Sequence, residues 1–132
     1  MRIAGTLAPL LKLAALGLAL ASCRTECTPL PTAPCPLPLA LTISVTAVPT
    51  GGPVSGAFVE VSGAVIATIL CSTGTDTTVC NVPGYAGKYN LEVGAAGFQT
   101  TLRVVMVQGT TPACGCATVA TEHLSVALVA SP

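Results

Sequence analysis

Seven cysteines, one histidine and five carboxylates are the residues with chemistry to offer in this chain of 132. Cys114-Gly115-Cys116 with His123 has the residue types of a zinc site. A tetrahedral site needs four ligands, however, usually with two to four residues between paired cysteines. Glu122 and His123 have the types of an acid–base pair, but neighbours in a strand point to opposite faces and would not co-operate. Asp76 stands among threonines as one carboxylate, where Ca²⁺ takes six to eight oxygens. No Gly-x-Ser-x-Gly elbow and no phosphate loop occurs. What remains is thiol chemistry, and an odd number of cysteines leaves one without a disulfide partner.

The leader singles out that cysteine. Residues 1–22 read "MRIAGTLAPLLKLAALGLALAS". Arg2 and Lys12 make it positive, and Leu13 to Ala21 is a short apolar run. That run is well under the roughly 20 residues of a membrane-spanning helix, and small residues follow it, as in a cleaved secretory signal peptide. Leu20-Ala21-Ser22-Cys23 resembles the lipobox of bacterial lipoproteins. The resemblance implies that the Cys23 thiol carries diacylglycerol and that cleavage leaves Cys23 as the first residue, often further acylated. Two or three acyl chains anchor a protein stably where one does not.

With Cys23 set aside, Cys27, Cys35, Cys71, Cys80, Cys114 and Cys116 remain. An even set in an exported chain is read as disulfides rather than a metal site. Cys71 and Cys80 flank one polar loop and are the best candidates for a local bridge. Cysteines in C-x-C rarely bridge each other, so Cys114 and Cys116 are expected to reach different partners. Cys27 and Cys35 either close a loop on each other or clip the preceding segment to the domain.

These groups need a scaffold. Residues 24–38, "RTECTPLPTAPCPLP", hold five prolines and predict an extended spacer after Cys23. Fully extended, it would reach roughly 45 Å. After Pro38 the pattern alternates. Leu39, Leu41, Ile43, Val45 and Ala47 share one face; Ala57, Val59 and Val61 do so in the next segment; Tyr89, Leu91, Val93 and Ala95 in a third; Leu124, Val126 and Leu128 in the last. "VIATILC" reads as a more buried strand, "VCNV" as a short one, and "GFQTTLRVVMVQ" as another. About seven strands separated by Gly, Pro and Thr turns predict an all-β antiparallel sandwich. The organisation is therefore signal peptide over 1–22, lipidated cysteine and tether over 23–38, and β domain over 39–132. Hydrophobic residues make up 52% and charged ones 8% of the chain. Beyond the leader, three scattered cations (Arg24, Lys88, Arg103) form no basic patch, which argues against nucleic acid.

"GGPVSGAFVEV" and "VPGYAGKYNLEVGAAGF" together resemble the carboxypeptidase regulatory-like domain, over roughly residues 39–130. The matching positions are Gly52, Pro53, Val54, Gly56, Ala57, Val59 and Val61, then Gly87, Tyr89, Leu91, Val93, Ala96, Gly97 and Phe98. The resemblance implies a seven-stranded Greek-key sandwich of the prealbumin type. The family's acidic turn lacks its glycine here, in "TGTDTTVC", and the Pro83–Tyr89 hairpin is longer than usual. On this reading Gly52 and Gly56 supply positive φ in the first hairpin, Gly97 does so in "AAGF", and Tyr89 and Phe98 add aromatic bulk to the core.

The first segment also looks like the start of intradiol ring-cleaving dioxygenases, which hold ferric iron with two Tyr and two His. Tyr85, Tyr89 and His123 cannot complete that set. The expectation is a non-enzymatic, cofactor-free protein, lipid-anchored through Cys23 to a bacterial cell envelope. Its domain would bind a protein or carbohydrate partner through loops or a sheet edge. The alternatives are an accessory subunit of a surface protein- or polysaccharide-handling complex and a degenerate dioxygenase-like enzyme. Arg24, in place of the aspartate that retains lipoproteins at an inner membrane, would permit outer-membrane sorting where two membranes exist.

Overall fold

The computed structural model describes residues 34–132. The lipobox residues Leu20, Ala21 and Ser22, together with Cys23 and Cys27, lie outside the described residues. Described residues are strand, turn and loop, with no helix, and none of their segments is a helix long and apolar enough to cross a membrane.

Ten strands follow one another: β1 (Leu39–Val48), β2 (Phe58–Gly63), β3 (Ala67–Leu70), β4 (Ser72–Thr73), β5 (Thr78–Pro83), β6 (Gly87–Gly94), β7 (Thr101–Val107), β8 (Gly109–Thr110), β9 (Thr118–Val119) and β10 (Glu122–Val129). They form one sheet in the order β10-β1-β5-β4, a second in the order β3-β2-β6-β7, and a small β8-β9 pair. The first two are named below the β1 sheet and the β6 sheet. Their inner faces share one core. Ile43, Val45, Cys80, Val82, Val126 and Leu128 come from the β1 sheet and Val59, Val61, Tyr89, Leu91, Val93 and Val107 from the β6 sheet. The alternation of β-branched and aliphatic residues is what lets each strand bury one face and wet the other.

The structure corrects several expectations. The sheets are not wholly antiparallel: β1 and β10 run parallel, with Leu41 opposite Glu122 and Val48 opposite Val129. An alternating pattern is the same for either direction, so it does not reveal this. The strand count rises because β4, β8 and β9, two residues each, carry no pattern of their own. "VIATILC" forms β3, which ends just before Cys71, where the chain crosses to β4 in the other sheet, but it is not a buried strand. β3 is an edge strand, with Ile66 and Leu70 88% and 80% exposed. Leu39 is exposed and Ala40 buried in its place, because the pairing with β5 shifts between Leu39 and Leu41. The expected first hairpin is instead a crossing from the β1 sheet to β2 in the β6 sheet, and its positive φ falls on Gly51 (72°) and Gly56 (69°), not on Gly52. Gly97 takes φ 84°, Tyr89 is fully buried, and Phe98 packs partly buried against the core.

The disulfides tie this frame together. Cys71–Cys80 joins the crossover between the sheets to the middle of β5. Cys35–Cys116 joins the segment before β1 to the β8–β9 loop. Cys35 and Cys27 therefore do not close a loop on each other. The proline-rich tether is not a free spacer as far as Pro38; it is clipped to the domain at Cys35. Pro38 is held as well, its carbonyl accepting from the Gly84 amide.

Candidate functional site

The outer faces of the two sheets differ in kind. That of the β1 sheet carries mostly small polar side chains, with Val48 opposite Val129 exposed at one end. His123, Thr42 and Asn81 stand in one row across β10, β1 and β5, and the Thr42 hydroxyl donates to Asn81 Oδ1 at 3.3 Å. That of the β6 sheet carries large apolar ones along its edges, with Glu60, Ser62, Asn90 and Glu92 between them. Leu102, Val104 and Met106 of β7 are 71%, 63% and 54% exposed, and Ile66 and Leu70 stand out at the opposite edge. Apolar side chains gathered on one face mark an interaction surface, whereas scattered ones need no explanation.

Strand register builds this surface. Thr68, Glu60, Glu92 and Leu102 form one row across β3, β2, β6 and β7. Ser62, Asn90 and Val104 form the next, and Lys88 and Met106 the one after. A shallow depression of about 510 Å³ opens over the first two rows, lined by Glu60, Ser62, Ile66, Asn90, Glu92 and Leu102. Directly opposed residues on one face have Cβ atoms about 5 Å apart. Glu60 and Glu92 are such a pair, and like charges so placed are destabilising. Among the described residues, neither carboxylate has an ion-pair partner.

β7 turns its apolar side outward against its own sequence. An alternation reading of "TLRVVMV" would bury Leu102, Val104 and Met106 and expose Arg103. Pairing with β6 does the reverse. Arg103 stands opposite the buried Leu91, and Val104 opposite Asn90. Val105 and Val107 supply the inward contacts. Arg103 escapes burial because β7 is the edge of the sheet. An inward-pointing charge on an edge strand guards against pairing with another chain. The face of the β6 sheet, rather than its β7 edge, is therefore the part open to a partner.

The residues singled out for other chemistry do not converge. Tyr89 is in the core, and its hydroxyl donates to the Tyr85 carbonyl. His123 is exposed on β10, while its neighbour Glu122 points to the other side of that strand. Asp76 is exposed in the turn between β4 and β5. Among the described residues, no three His, Cys, Asp or Glu side chains come together in a way that could hold a metal ion. Cys114 is also in a disulfide, and since Cys116 bridges to Cys35, the two cysteines of the C-x-C reach different partners.

The sequence signal for the β6-sheet face is partial. Glu60, Asn90 and Glu92 are readable as outward-facing from alternation, but the apolar ridge on β7 is not, since both faces of that strand carry aliphatic residues. No protein-family model matches this chain, and no curated protein matches it.

Proposed function

We propose that this is an exported, lipid-anchored protein of the bacterial cell envelope that works by binding, through the outer face of the β6 sheet, and not by catalysis. The observation that carries the binding role is that face: an outward apolar ridge on β7 beside an uncompensated Glu60–Glu92 pair. Departures from local rules concentrate where function requires them. The oxidised cysteines support export, because such bridges form and persist in oxidising compartments. The lipobox supports the anchor at Cys23. The two facing sheets support a sandwich of the prealbumin-like, carboxypeptidase regulatory-like kind.

Two measurements test this. Mass spectrometry of protein extracted from membranes should find Cys23 N-terminal and acylated; an intact leader or an unmodified Cys23 would sink the anchor. Native co-purification from those membranes should recover a partner, or a second copy, that Leu102→Ser with Val104→Ser releases. Unchanged recovery would remove the face from the proposal.

A further inference from the structure

The outer surface of β6 and β7 is nearly unchanged by a half-turn, except that its charge reverses. Its three rows are Lys88 beside Met106, Asn90 beside Val104, and Glu92 beside Leu102. The middle row separates a cation from an anion on one strand and two large apolar side chains on the other. We propose that a second copy of this chain covers the face, related by a two-fold axis that runs across the strands at the Asn90–Val104 row. This rests on the reading of the face as a binding surface and names its occupant.

The rotation reverses strand direction and keeps strand order, so β6 lies antiparallel over β6 and β7 over β7. Lys88 of each copy then faces Glu92 of the other, twice by symmetry, as an isologous contact requires. Leu102 faces Met106, twice, and Val104 faces Val104. Ala64 donates its amide to the Lys88 carbonyl, so the backbone position that lands over Glu60 is next to the second copy's Lys88. One ammonium thus reaches both members of the Glu60–Glu92 pair. The charge that burdens the single chain becomes complementary in the pair.

Face-to-face arrangements with the axis along the strands fail on charge. An axis between β6 and β7 lays Lys88 over the second copy's Met106 and Glu92 over its Leu102, covering each charge with an apolar side chain. An axis between β2 and β6 brings Glu60 over the second copy's Glu92, setting four carboxylates in one row. Like-charge juxtaposition of that kind rejects a docking mode. Four strands at about 4.8 Å spacing and three outward rows make a small contact, at the weak end of specific interfaces. Restriction to a membrane raises the effective concentration and suits a weak contact.

Charge reversal tests the pairing. Full-length protein purified from membranes in dodecyl maltoside is followed by sedimentation velocity as the wild type, Lys88→Glu, Glu92→Lys and the double variant. The wild type should dimerise. Each single reversal should weaken dimerisation about tenfold, as expected for rim charge pairs made repulsive, and the double variant should recover to within about threefold. Lys88 and Glu92 are both on the surface, and far-ultraviolet circular dichroism checks that each variant is folded. A double variant as weak as the singles, or a wild type monomeric throughout, overturns the dimer. If the wild type is monomeric yet Leu102→Ser with Val104→Ser releases a different protein from membranes, the dimer falls and the binding face stands. If neither occurs, both fall.

Discussion

Thr78 holds Val54 by both of its backbone groups. The Thr78 hydroxyl accepts from the Val54 amide at 2.9 Å and donates to the Val54 carbonyl at 2.8 Å. Thr78 is the buried polar residue of the described core. It ties the start of β5 to the connection between β1 and β2, a stretch with no strand of its own to satisfy it. Thr78→Val keeps the shape, leaves the buried Val54 amide without its partner and leaves the Val54 carbonyl only the longer bond from the Thr73 hydroxyl at 3.5 Å. It should cost about 1–3 kcal/mol, the cost of one orphaned buried group, and Thr78→Ser should cost less. Urea unfolding at neutral pH reads both, and a Thr78→Val cost below that of Thr78→Ser would contradict this account.

Replacing Cys71 and Cys80 together by alanine should lower stability by about 2–3 kcal/mol, from loop closure over their sequence separation of 9. Loss of packing adds to this, because Cys80 is fully buried and Cys71 packs against the core. The bridge ties β5 to the point where the chain leaves the β6 sheet. Limited proteolysis should therefore cut the variant in the stretch from Cys71 to Thr77 faster than the parent, and equal cutting rates would count against that role.

Burial raises the Tyr89 hydroxyl above its ordinary pKa of 10.0. The unfolded chain therefore releases this proton first. The stability that the neutral hydroxyl contributes is complete below about pH 10 and is lost as pH rises through the folded value. Tyr89→Phe should cost about 1 kcal/mol at neutral pH through loss of the bond to the Tyr85 carbonyl. That deficit should shrink as pH rises above about 10. A deficit that stays constant above that pH, measured by denaturant titration, would show that Tyr89 is not the titrating group. Gly84 belongs to the same arrangement, since a Cβ there would run into the Tyr89 hydroxyl.

Non-reducing peptide mapping should recover Cys35 with Cys116 and Cys71 with Cys80. Cys114 is oxidised too, and if Cys23 carries lipid, its partner should be Cys27. A Cys114 peptide joined to Cys23 instead would contradict the lipobox reading.

How much of the fold is legible in the sequence depends on which strands alternate strictly. In β2, β6 and β10 polar residues mark one face, and Val59, Leu91 and Val126 are buried where alternation puts them. The pattern says less where both faces are aliphatic. On β7 the choice between Val104 and Val105 is made by pairing with β6, a long-range fact, and with it goes the apolar ridge of the candidate site. On β3 the aliphatic content suggests burial, but only strand order shows that Ile66 and Leu70 line an edge. Direction is equally hidden, because β1 and β10 lie at opposite ends of the described chain and no local pattern spans that separation.

The Cys35–Cys116 bridge has a mechanical consequence. β1 begins shortly after Cys35 and β10 shortly after Cys116, and the two strands run side by side in the same direction. A pull arriving along the chain from its N-terminal side reaches both strands at their leading ends. Parallel neighbours drawn from the same end move together, so the slanted bonds between them are not sheared. The bridge divides one line of tension into two lanes, and the pair of strands that receives it is the pair least disturbed by sharing it.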